Sequence, residues 1–315
     1  MRIAAIDVGT NSVKLSVAAV QEDGSLSVIQ RRRINLQIGR SVMQCGRLGP
    51  DLIEVVATTV ASLCQLADSL GAIRTDIVGT SAPREAEDSE ALQKAVRDAS
   101  GHPLRIITGL EEATLTWEAV CASHHITGPA IMIDVGGGST EVVCANGPEA
   151  TCVASMPLGA VRLTQQFDTT GLVTPARMQE MTQQIHATMA SSLSHVISSP
   201  DHIYATGGTI TALSLLANLG MPLPQNEALD AQVVDGQCLQ ATFVRSMVDR
   251  LAGWDLDQRV AKTGLSTLRS EVILAGATIV LCLLEVVNAS SCQVHELGIR
   301  EGLMRRMARG GDQTP

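Results

Sequence analysis

A seven-residue pattern occurs twice in this chain, and it limits the possible folds more than any other feature. Residues 6–12 (IDVGTNS) and residues 133–139 (IDVGGGS) are identical at five of seven positions. In each copy an apolar strand ends at an aspartate, a glycine-containing turn follows, and a second strand begins. A long-range repeat of this kind indicates a duplicated supersecondary unit. We therefore expect two similar halves, whose hairpin tips face each other and clamp one ligand that carries phosphate oxygens.

The order of the predicted elements is typical of an α/β fold. In the first half we predict strands near residues 2–8, 12–20, 26–33, 75–80 and 104–107 and helices near 51–70, 85–99 and 111–122. In the second half we predict strands near 130–135, 140–145, 151–156 and 202–206 and helices near 175–197 and 209–219, with a loop over 220–227. We assign residues 1–125 to a first domain and residues 126–296 to a second. A basic C-terminal helix, about 297–315 with a frayed end, is expected to rejoin the first domain.

The composition excludes several classes of function. Two Phe, two Trp and one Tyr among 315 residues leave no stacking platform for single-stranded nucleic acid. The net charge of −9 means that a polyanionic ligand needs a metal ion or a local basic patch. Residues 272–287 are too short a run to cross a bilayer and predict a buried helix, and no signal-like segment opens the chain. We expect a cytoplasmic protein with eight reduced cysteines that binds neither nucleic acid nor membranes.

The second tip carries the most specific motif of the chain. Three consecutive glycines let backbone N–H groups approach a phosphate closely. The predicted phosphate-binding residues here are Gly136, Gly137, Gly138 and Ser139. Asp134 and Glu141 flank the turn, and carboxylate oxygens are the ligands that Mg²⁺ prefers, so we predict that they hold Mg²⁺ or Mn²⁺. A plain glycine hairpin needs neither three glycines nor an acid at each end.

Two further turns fit phosphate recognition. The first tip offers Asp7 as another metal ligand, and its predicted phosphate-binding residues are Thr10, Asn11, Ser12 and Lys14. A third turn follows a strand and opens a helix, the context in which backbone N–H groups meet anions. Its predicted phosphate-binding residues are Gly207, Gly208 and Thr209. The alternatives are an ordinary hairpin with Lys14 at the surface and a plain strand-to-helix turn.

These three turns, in this order, resemble the actin, sugar kinase and heat-shock chaperone superfamily. Residues 78–86 (VGTSAPREA), 108–113 (TGLEEA) and 156–163 (MPLGAVRL) narrow the resemblance. Over essentially the whole chain the sequence resembles the exopolyphosphatase and guanosine pentaphosphate phosphohydrolase (Ppx/GppA) family. The resemblance implies two ribonuclease-H-like α/β domains of the actin-like ATPase superfamily fold, with an active-site cleft between them. Longer members add a C-terminal helical region with a histidine-aspartate motif, so this chain resembles the short, two-domain form.

The resemblance also implies a reaction. The family hydrolyses a terminal phosphoanhydride bond with Mg²⁺, and the second glutamate of its Glu-Glu-Ala motif, here Glu112, is the general base. Adjacent helical residues point about 100° apart, so Glu111 and Glu112 cannot both face the cleft, and Glu111 suits a solvated first turn of a helix. Arg84 resembles the family's phosphate-binding arginine, with an exposed salt bridge as the alternative. A homodimer and inhibition by guanosine phosphates are further expectations.

Several functions remain open from the sequence. We expect an exopolyphosphatase that releases terminal orthophosphate from inorganic polyphosphate. A guanosine pentaphosphate 5′-phosphohydrolase is the first alternative, because both substrates present a terminal phosphoanhydride, although scarce aromatics favour the substrate without a base. An ATP-dependent kinase of the same superfamily and a regulator that binds guanosine phosphates without turnover are the others.

Three positions depart from the expected pattern or lack an assigned role. Arg31, Arg32 and Arg33 end a predicted strand, so their side chains alternate between its faces and cannot all reach one ligand. Either they form a solvated edge, or Arg32 or Arg33 steers a long polyanion. Residues 36–40 (LQIGR) replace the family's usual Leu-Gly-x-Gly loop, and Thr114 stands where arginine is common.

Overall fold

The chain was described with a computed structural model, which covers residues 1–193, 200–224 and 234–310. It divides into two compact units: a first unit of Met1–Ala119 with Leu297–Pro315, and a second unit of Val120–Glu296. Residues 120–125, which the sequence analysis assigned to the first domain, therefore belong to the second unit.

The helices and strands occur in an order close to the expected one. The chain begins with β1 (Arg2–Val8), β2 (Ser12–Val20), β3 (Leu26–Asn35), α1 (Ile38–Cys45), α2 (Pro50–Ser69), β4 (Arg74–Gly79), α3 (Ser81–Glu85), α4 (Ser89–Ser100), β5 (Leu104–Ile106) and α5 (Gly109–Ser123). It continues with β6 (Pro129–Val135), β7 (Thr140–Asn146), β8 (Glu149–Met156), α6 (Ala160–Phe167), α7 (Pro175–Ser192), β9 (His202–Thr206), α8 (Gly208–Leu219), β10 (Cys238–Gln240), α9 (Ala241–Ala252), α10 (Leu256–Thr263), α11 (Thr267–Val286), β11 (Ser291–Val294) and α12 (Ile299–Ala308).

The first unit is built on a five-stranded sheet in the order β3-β2-β1-β4-β5. The strands β1, β2 and β3 are antiparallel, whereas β4 and β5 continue from β1 in parallel. Side chains alternate along β1, so Ala4 and Ile6 enter the core that α2 and α4 cover, while Ile3 and Ala5 enter the core against α12. Asp7 follows the same alternation and lies on the α12 face.

The second unit repeats this arrangement in a six-stranded sheet, β10-β11-β9-β6-β7-β8. Its β8-β7-β6-β9 order corresponds to β3-β2-β1-β4, with the same antiparallel and parallel pairings. The central helix α11 has fourteen buried residues in the core of this unit, as the apolar run 272–287 predicted. The prediction of two α/β domains with a repeated strand order is confirmed.

Three predicted helices needed correction. The helix predicted over 85–99 is α4, which begins only at Ser89, because Ala86 is extended and Asp88 accepts hydrogen bonds from the backbone N–H groups of Leu48 and Gly49, 2.9 and 2.8 Å away. Glu85 instead ends the separate short helix α3. The C-terminal helix begins only at Ile299, where the Glu301 side chain accepts a hydrogen bond from the Gly298 N–H over 3.0 Å. The helix predicted over 175–197 is described to Ser192, and residues 194–199, 225–233 and 311–315 lie outside the described part.

Two helices are long and apolar enough to pass a test for membrane spans by length and composition. In α11, 78% of the relevant window is buried inside the second unit, which is the pattern of a core helix. In α2 the figure is 33%, and its buried residues, among them Val56 and Val60, line the core of the first unit. Both helices are therefore accounted for by packing within their own unit.

The cysteines form no disulfide within the described residues. Burial raises the pKa of Cys64 to about 11 and that of Cys282 and Cys292 to about 12. A raised pKa keeps a thiol protonated at neutral pH and so lowers its nucleophilicity. These three cysteines are core residues.

Candidate active site

In the first unit, the β1–β2 hairpin pairs Asp7 with a cation. Asp7 and Lys14 lie directly opposite each other on the two strands, and Lys14 Nζ is 3.3 Å from Asp7 Oδ2. Thr80, just after β4, donates its hydroxyl to Asp7 Oδ1 over 3.5 Å. Asp7 is buried, whereas the Lys14 side chain is 36% exposed. Since Asp7 already has a cationic partner, the metal ligation predicted for it would have to displace Lys14.

The tip of this hairpin is held by backbone contacts. The Gly9 N–H donates to the Ser12 carbonyl over 3.1 Å, and the Gly39 N–H donates to the Thr10 carbonyl over 2.7 Å. The N–H groups of Leu36 and Gln37 both donate to the Asn11 carbonyl. Residues 36–39, where the sequence departs from the usual loop, therefore brace the tip. Thr10 and Ser12 are buried beneath it, and Asn11 is half-buried.

In the second unit, the equivalent hairpin pairs two acids. Asp134 lies directly opposite Glu141 on β6 and β7, so Glu141 holds the position that Lys14 holds in the first unit. Glu141 is 1% exposed, and the Ser155 hydroxyl on β8 donates to its Oε1 over 2.8 Å. Like charges directly opposite on a sheet repel each other. A divalent cation bound by both carboxylates would convert this repulsion into attraction, so the pair fits the predicted metal.

The three-glycine turn that joins these strands rests on the start of α6. The Gly136 carbonyl accepts from the N–H of Ala160 over 3.0 Å, and the Gly137 carbonyl accepts from the N–H of Val161 over 2.8 Å. Arg162 Nε donates to the Gly138 carbonyl over 2.7 Å. With the carbonyls directed at α6, the orientation of the turn is fixed by the helix. The turn itself is closed by a hydrogen bond from the Gly136 N–H to the Ser139 carbonyl, and Ser139 is buried.

The third turn lies beside Asp134, one of these two acids. A Cβ at Gly207 would be 3.0 Å from Asp134 Oδ1 and 2.5 Å from the Val135 carbonyl oxygen, so this glycine permits the close approach. Thr206 is the register partner of Asp134, which follows from the parallel pairing of β6 with β9. The second unit therefore brings the second and third turns together at Asp134.

Sequence analysis gave no role to Arg269, whose guanidinium the structure places at the third turn. A Cβ at Gly208 would be 2.6 Å from Arg269 Nη2 and 2.7 Å from Nη1, so the guanidinium covers the glycine. Arg269 is near the start of α11, about 60 residues beyond the turn, and Thr209 packs against Gly276 of the same helix. A glycine that an arginine covers leaves no local signal in the sequence, which is why this cation was missed.

The close approach at Gly207 predicts a large loss of stability on substitution. Gly207 has φ = +101°, so Gly207→Ala would combine backbone strain with a clash against the Val135 carbonyl. We expect the free energy of unfolding to fall by about 3 kcal/mol, measured by urea denaturation. Gly220→Ala is the matched control, because Gly220 also has positive φ but no atom within 4 Å, and it should cost about 1 kcal/mol. Equal losses would show that the contact with Val135 is unimportant.

The Glu-Glu pair at the start of α5 separates as expected. Glu112 Oε2 is 3.3 Å from Arg84 Nη1, whereas Glu111 forms an ion pair with Arg105. The Glu112 side chain is 14% exposed and that of Glu111 is 30% exposed. The two carboxylates therefore have different partners, and Glu112 is the better shielded of the two.

Arg84 links Glu112 to the first tip. Its Nη1 also donates to the Ile107 carbonyl over 2.9 Å, and its backbone N–H donates to the carbonyl of Thr80, the residue that contacts Asp7. Across the described residues, Nε and Nη2 of Arg84 donate to no protein acceptor. The alternative, that Arg84 forms only an exposed salt bridge, does not fit. Arg84 is half-buried, holds Glu112, and has further donors that an anion could accept from.

The fold and these turns define a class of two-domain α/β proteins with the actin-like ATPase fold. A crystal structure of an Aquifex aeolicus member of the Ppx/GppA family matches the chain with a TM-score of 0.84 and 29% identity, covering 100% of this chain and 99% of that one. Exopolyphosphatase 2 of Mycobacterium tuberculosis is 29% identical over 89% of this chain and 88% of its own length. Exopolyphosphatase 1 of the same species is 26% identical over 97% of this chain and 88% of its own length.

The family itself follows from a match over almost the whole chain. The sequence model of the Ppx/GppA phosphatase family matches residues 16–309, and the chain belongs to that family. It is an enzyme, a phosphoanhydride hydrolase.

Proposed function

We propose that this enzyme is an exopolyphosphatase that releases orthophosphate from the end of inorganic polyphosphate. The observation that carries the proposal is the held carboxylate of Glu112, because Arg84 fixes this shielded acid at the residue for which the family resemblance implies a general base. The names of the two mycobacterial relatives support polyphosphate as the substrate. The scarcity of aromatic side chains supports a substrate without a base to stack.

Glu112 has the central chemical role in this proposal. Its carboxylate accepts a proton from the attacking water, which raises the nucleophilicity of the oxygen as the new P–O bond forms. Arg84 fixes the carboxylate through Nη1 and directs its remaining N–H groups to the phosphoryl oxygens, where negative charge develops. The bond between the terminal phosphorus and the bridging oxygen breaks, and its electron pair stays on the bridging oxygen of the shortened chain. Glu112 then releases its proton to solvent, and the products are orthophosphate and a chain shorter by one phosphate. No ATP is needed for this reaction.

The turns supply the phosphate contacts. In the first unit we assign these contacts to Lys14 and to the donors of the tip, Thr10, Asn11 and Ser12. In the second unit we assign them to the backbone N–H groups of Gly137, Gly138, Gly207 and Gly208 and to the hydroxyls of Ser139 and Thr209. The Gly136 N–H, which the sequence placed in this set, donates to the Ser139 carbonyl and so shapes the turn instead. Backbone donors in glycine turns are fixed before the substrate binds, so they need little reorganisation during the reaction.

Asp134 and Glu141 are the proposed metal ligands. They form an oxygen-only donor set, which suits Mg²⁺ or Mn²⁺, and Ser155 orients Glu141. A divalent ion held there would neutralise phosphate charge and polarise a phosphoryl oxygen. Asp7, which the sequence analysis added to this set, differs because Lys14 is its partner, and we therefore assign Asp7 to the positioning of Lys14.

A substrate comparison tests the proposal. Phosphate release by the purified protein is measured with Mg²⁺ on long polyphosphate, tripolyphosphate, guanosine pentaphosphate and ATP. We expect the highest kcat/KM on long polyphosphate, by at least about tenfold, a difference of about 1.4 kcal/mol in transition-state stabilisation. A higher kcat/KM on guanosine pentaphosphate would assign the enzyme to the alternative substrate, and transfer of the γ-phosphate of ATP to an acceptor would assign it to the kinases.

A further inference from the structure

Strand register gives the three consecutive arginines of β3 different environments. Asp7 lies opposite Lys14, and Lys14 lies opposite Arg33, so these three residues form a row across β1, β2 and β3 on one face of the sheet. Arg32 lies opposite Leu15, a core residue of the other face. Neighbouring strands are about 4.8 Å apart, so Arg33 extends the charged row one strand beyond Lys14. Of the two residues considered for steering a polyanion, only Arg33 shares a face with the first tip.

Arg31 lies on the same face but forms an ion pair with a buried acid. Its Nη2 is 3.8 Å from Oε1 of Glu301, a residue of α12 that is 2% exposed. Ser16, opposite Arg31, donates its hydroxyl to the same Glu301 oxygen over 3.1 Å. Arg300 donates through Nη1 to the Ser16 hydroxyl over 2.8 Å. Burial opposes the ionised form of Glu301, yet the charges of Arg300 and Arg31 and a bond from the Gly298 N–H lower its pKa overall.

The part of this face that β1, β2, β3 and the start of α12 form therefore carries more positive charge than its acids balance. Four cations, Lys14, Arg31, Arg33 and Arg300, share it with two acids, Asp7 and Glu301. Lys14 pairs with Asp7, and Glu301 pairs with Arg31. Arg33 donates through Nε to the Asn35 side chain over 3.1 Å and pairs with no carboxylate within the described residues. Desolvation by the surrounding protein lowers the pKa of Arg33, and repulsion from the positive charge of Arg300 lowers it further, while the negative charge of Asp7 opposes the shift.

We propose that Arg33, with Lys14 beside it, forms a second anion site that binds an internal phosphate of the polyphosphate chain. An anion there is stabilised by Arg33, Lys14 and Arg300 together, and the repulsion between the arginines becomes attraction to a common ligand. The exposed side chain of Arg33 is accessible to such a ligand. This inference rests on the proposed function. It means that Arg33 contributes to the preference for long polyphosphate and not to the chemical step.

Steady-state kinetics with polyphosphates of different length test the site. For Arg33→Gln we expect KM on long polyphosphate to rise about tenfold, the loss of one charge-assisted hydrogen bond, with kcat nearly unchanged. For tripolyphosphate the rise in KM should stay below about threefold, because this short substrate has few phosphates that reach beyond the first tip. Arg33→Lys should restore most of the affinity, since it keeps the positive charge. Arg32→Gln is the matched control, one residue away on the opposite face, and should leave both parameters unchanged.

A direct binding measurement separates this inference from the proposed function. Fluorescence anisotropy of end-labelled long polyphosphate is measured with Glu112→Gln and with Glu112→Gln/Arg33→Gln. A weaker affinity in the double variant supports the site even if the wild-type protein releases no phosphate from polyphosphate, a result that would overturn only the proposed function. Equal affinities in the two proteins would overturn the site. The site would also be overturned if Arg33→Gln and Arg32→Gln behaved alike, or if Arg33→Gln lowered kcat on every substrate without rescue by lysine.

Discussion

Replacing Glu112 with glutamine should lower kcat for phosphate release by about 10²–10⁴-fold, the usual loss when a general base is removed. The amide is nearly isosteric with the carboxylate, so the contact with Arg84 can be kept while the ability to accept a proton is lost. KM for polyphosphate should change little, because phosphate binding is assigned to other groups. Steady-state assays and single-turnover assays of orthophosphate release measure both quantities.

The adjacent glutamate gives a matched control for this prediction. Glu111 pairs with Arg105 at a position that is partly exposed, and ion pairs of that kind contribute about 1 kcal/mol or less to stability. We therefore expect Glu111→Gln to keep kcat within about threefold of the wild type. Near-normal turnover in Glu112→Gln, or an equal loss in Glu111→Gln, would contradict the assignment of the base.

Replacing either acid of the second tip should abolish metal binding and most of the activity. We expect Asp134→Asn and Glu141→Gln each to lower the rate by about 10³-fold at a fixed Mg²⁺ concentration, since a bound ion supplies several kcal/mol of charge stabilisation. Isothermal titration with Mn²⁺ should show binding in the wild type and none in these variants. Like-charge repulsion between positions 134 and 141 is also removed, so stability without metal should rise slightly.

A residue that only orients a metal ligand should have a smaller effect. Ser155→Ala removes the hydrogen bond to Glu141 Oε1 and should weaken Mn²⁺ binding by about 10–100-fold without abolishing it. Glu149→Gln, at the exposed start of β8, removes a negative charge away from the tip and should leave the titration unchanged. If Glu141→Gln titrated like Glu149→Gln, the metal would have to be held elsewhere.

The repeated motif was sufficient to predict the central part of both sheets. Strands that flank a short turn must pair in antiparallel register, so the repeat predicted the two hairpins. The structure adds the register that places Asp7 opposite Lys14 and Asp134 opposite Glu141. The helical geometry of residues 111 and 112 likewise predicted that the two glutamates point in different directions, and they pair with different arginines, Arg105 and Arg84. In each case the relevant distance is local in sequence, which is why elementary geometry predicted it.

Features that depend on distant contacts were not predictable in the same way. Arg269 reaches the third turn because α11 packs against α8, and no periodicity near Gly208 records that contact. The break between α3 and α4 depends on Asp88 capping a loop about forty residues earlier. The face on which Arg33 lies depends on the pairing of β3 with β2, so a sequence run of three arginines could not distinguish it from Arg32.

The origin of the oxygen in the released phosphate tests the central claim most directly. Long polyphosphate is incubated with the wild-type protein and Mg²⁺ in ¹⁸O-labelled water, and the products of the first turnovers are analysed by mass spectrometry. Attack of water on the terminal phosphorus predicts orthophosphate that carries one ¹⁸O atom and a remaining chain without label. Unlabelled orthophosphate with label on the shortened chain, or labelled internal fragments, would contradict an exopolyphosphatase in which water attacks the terminal phosphoryl group.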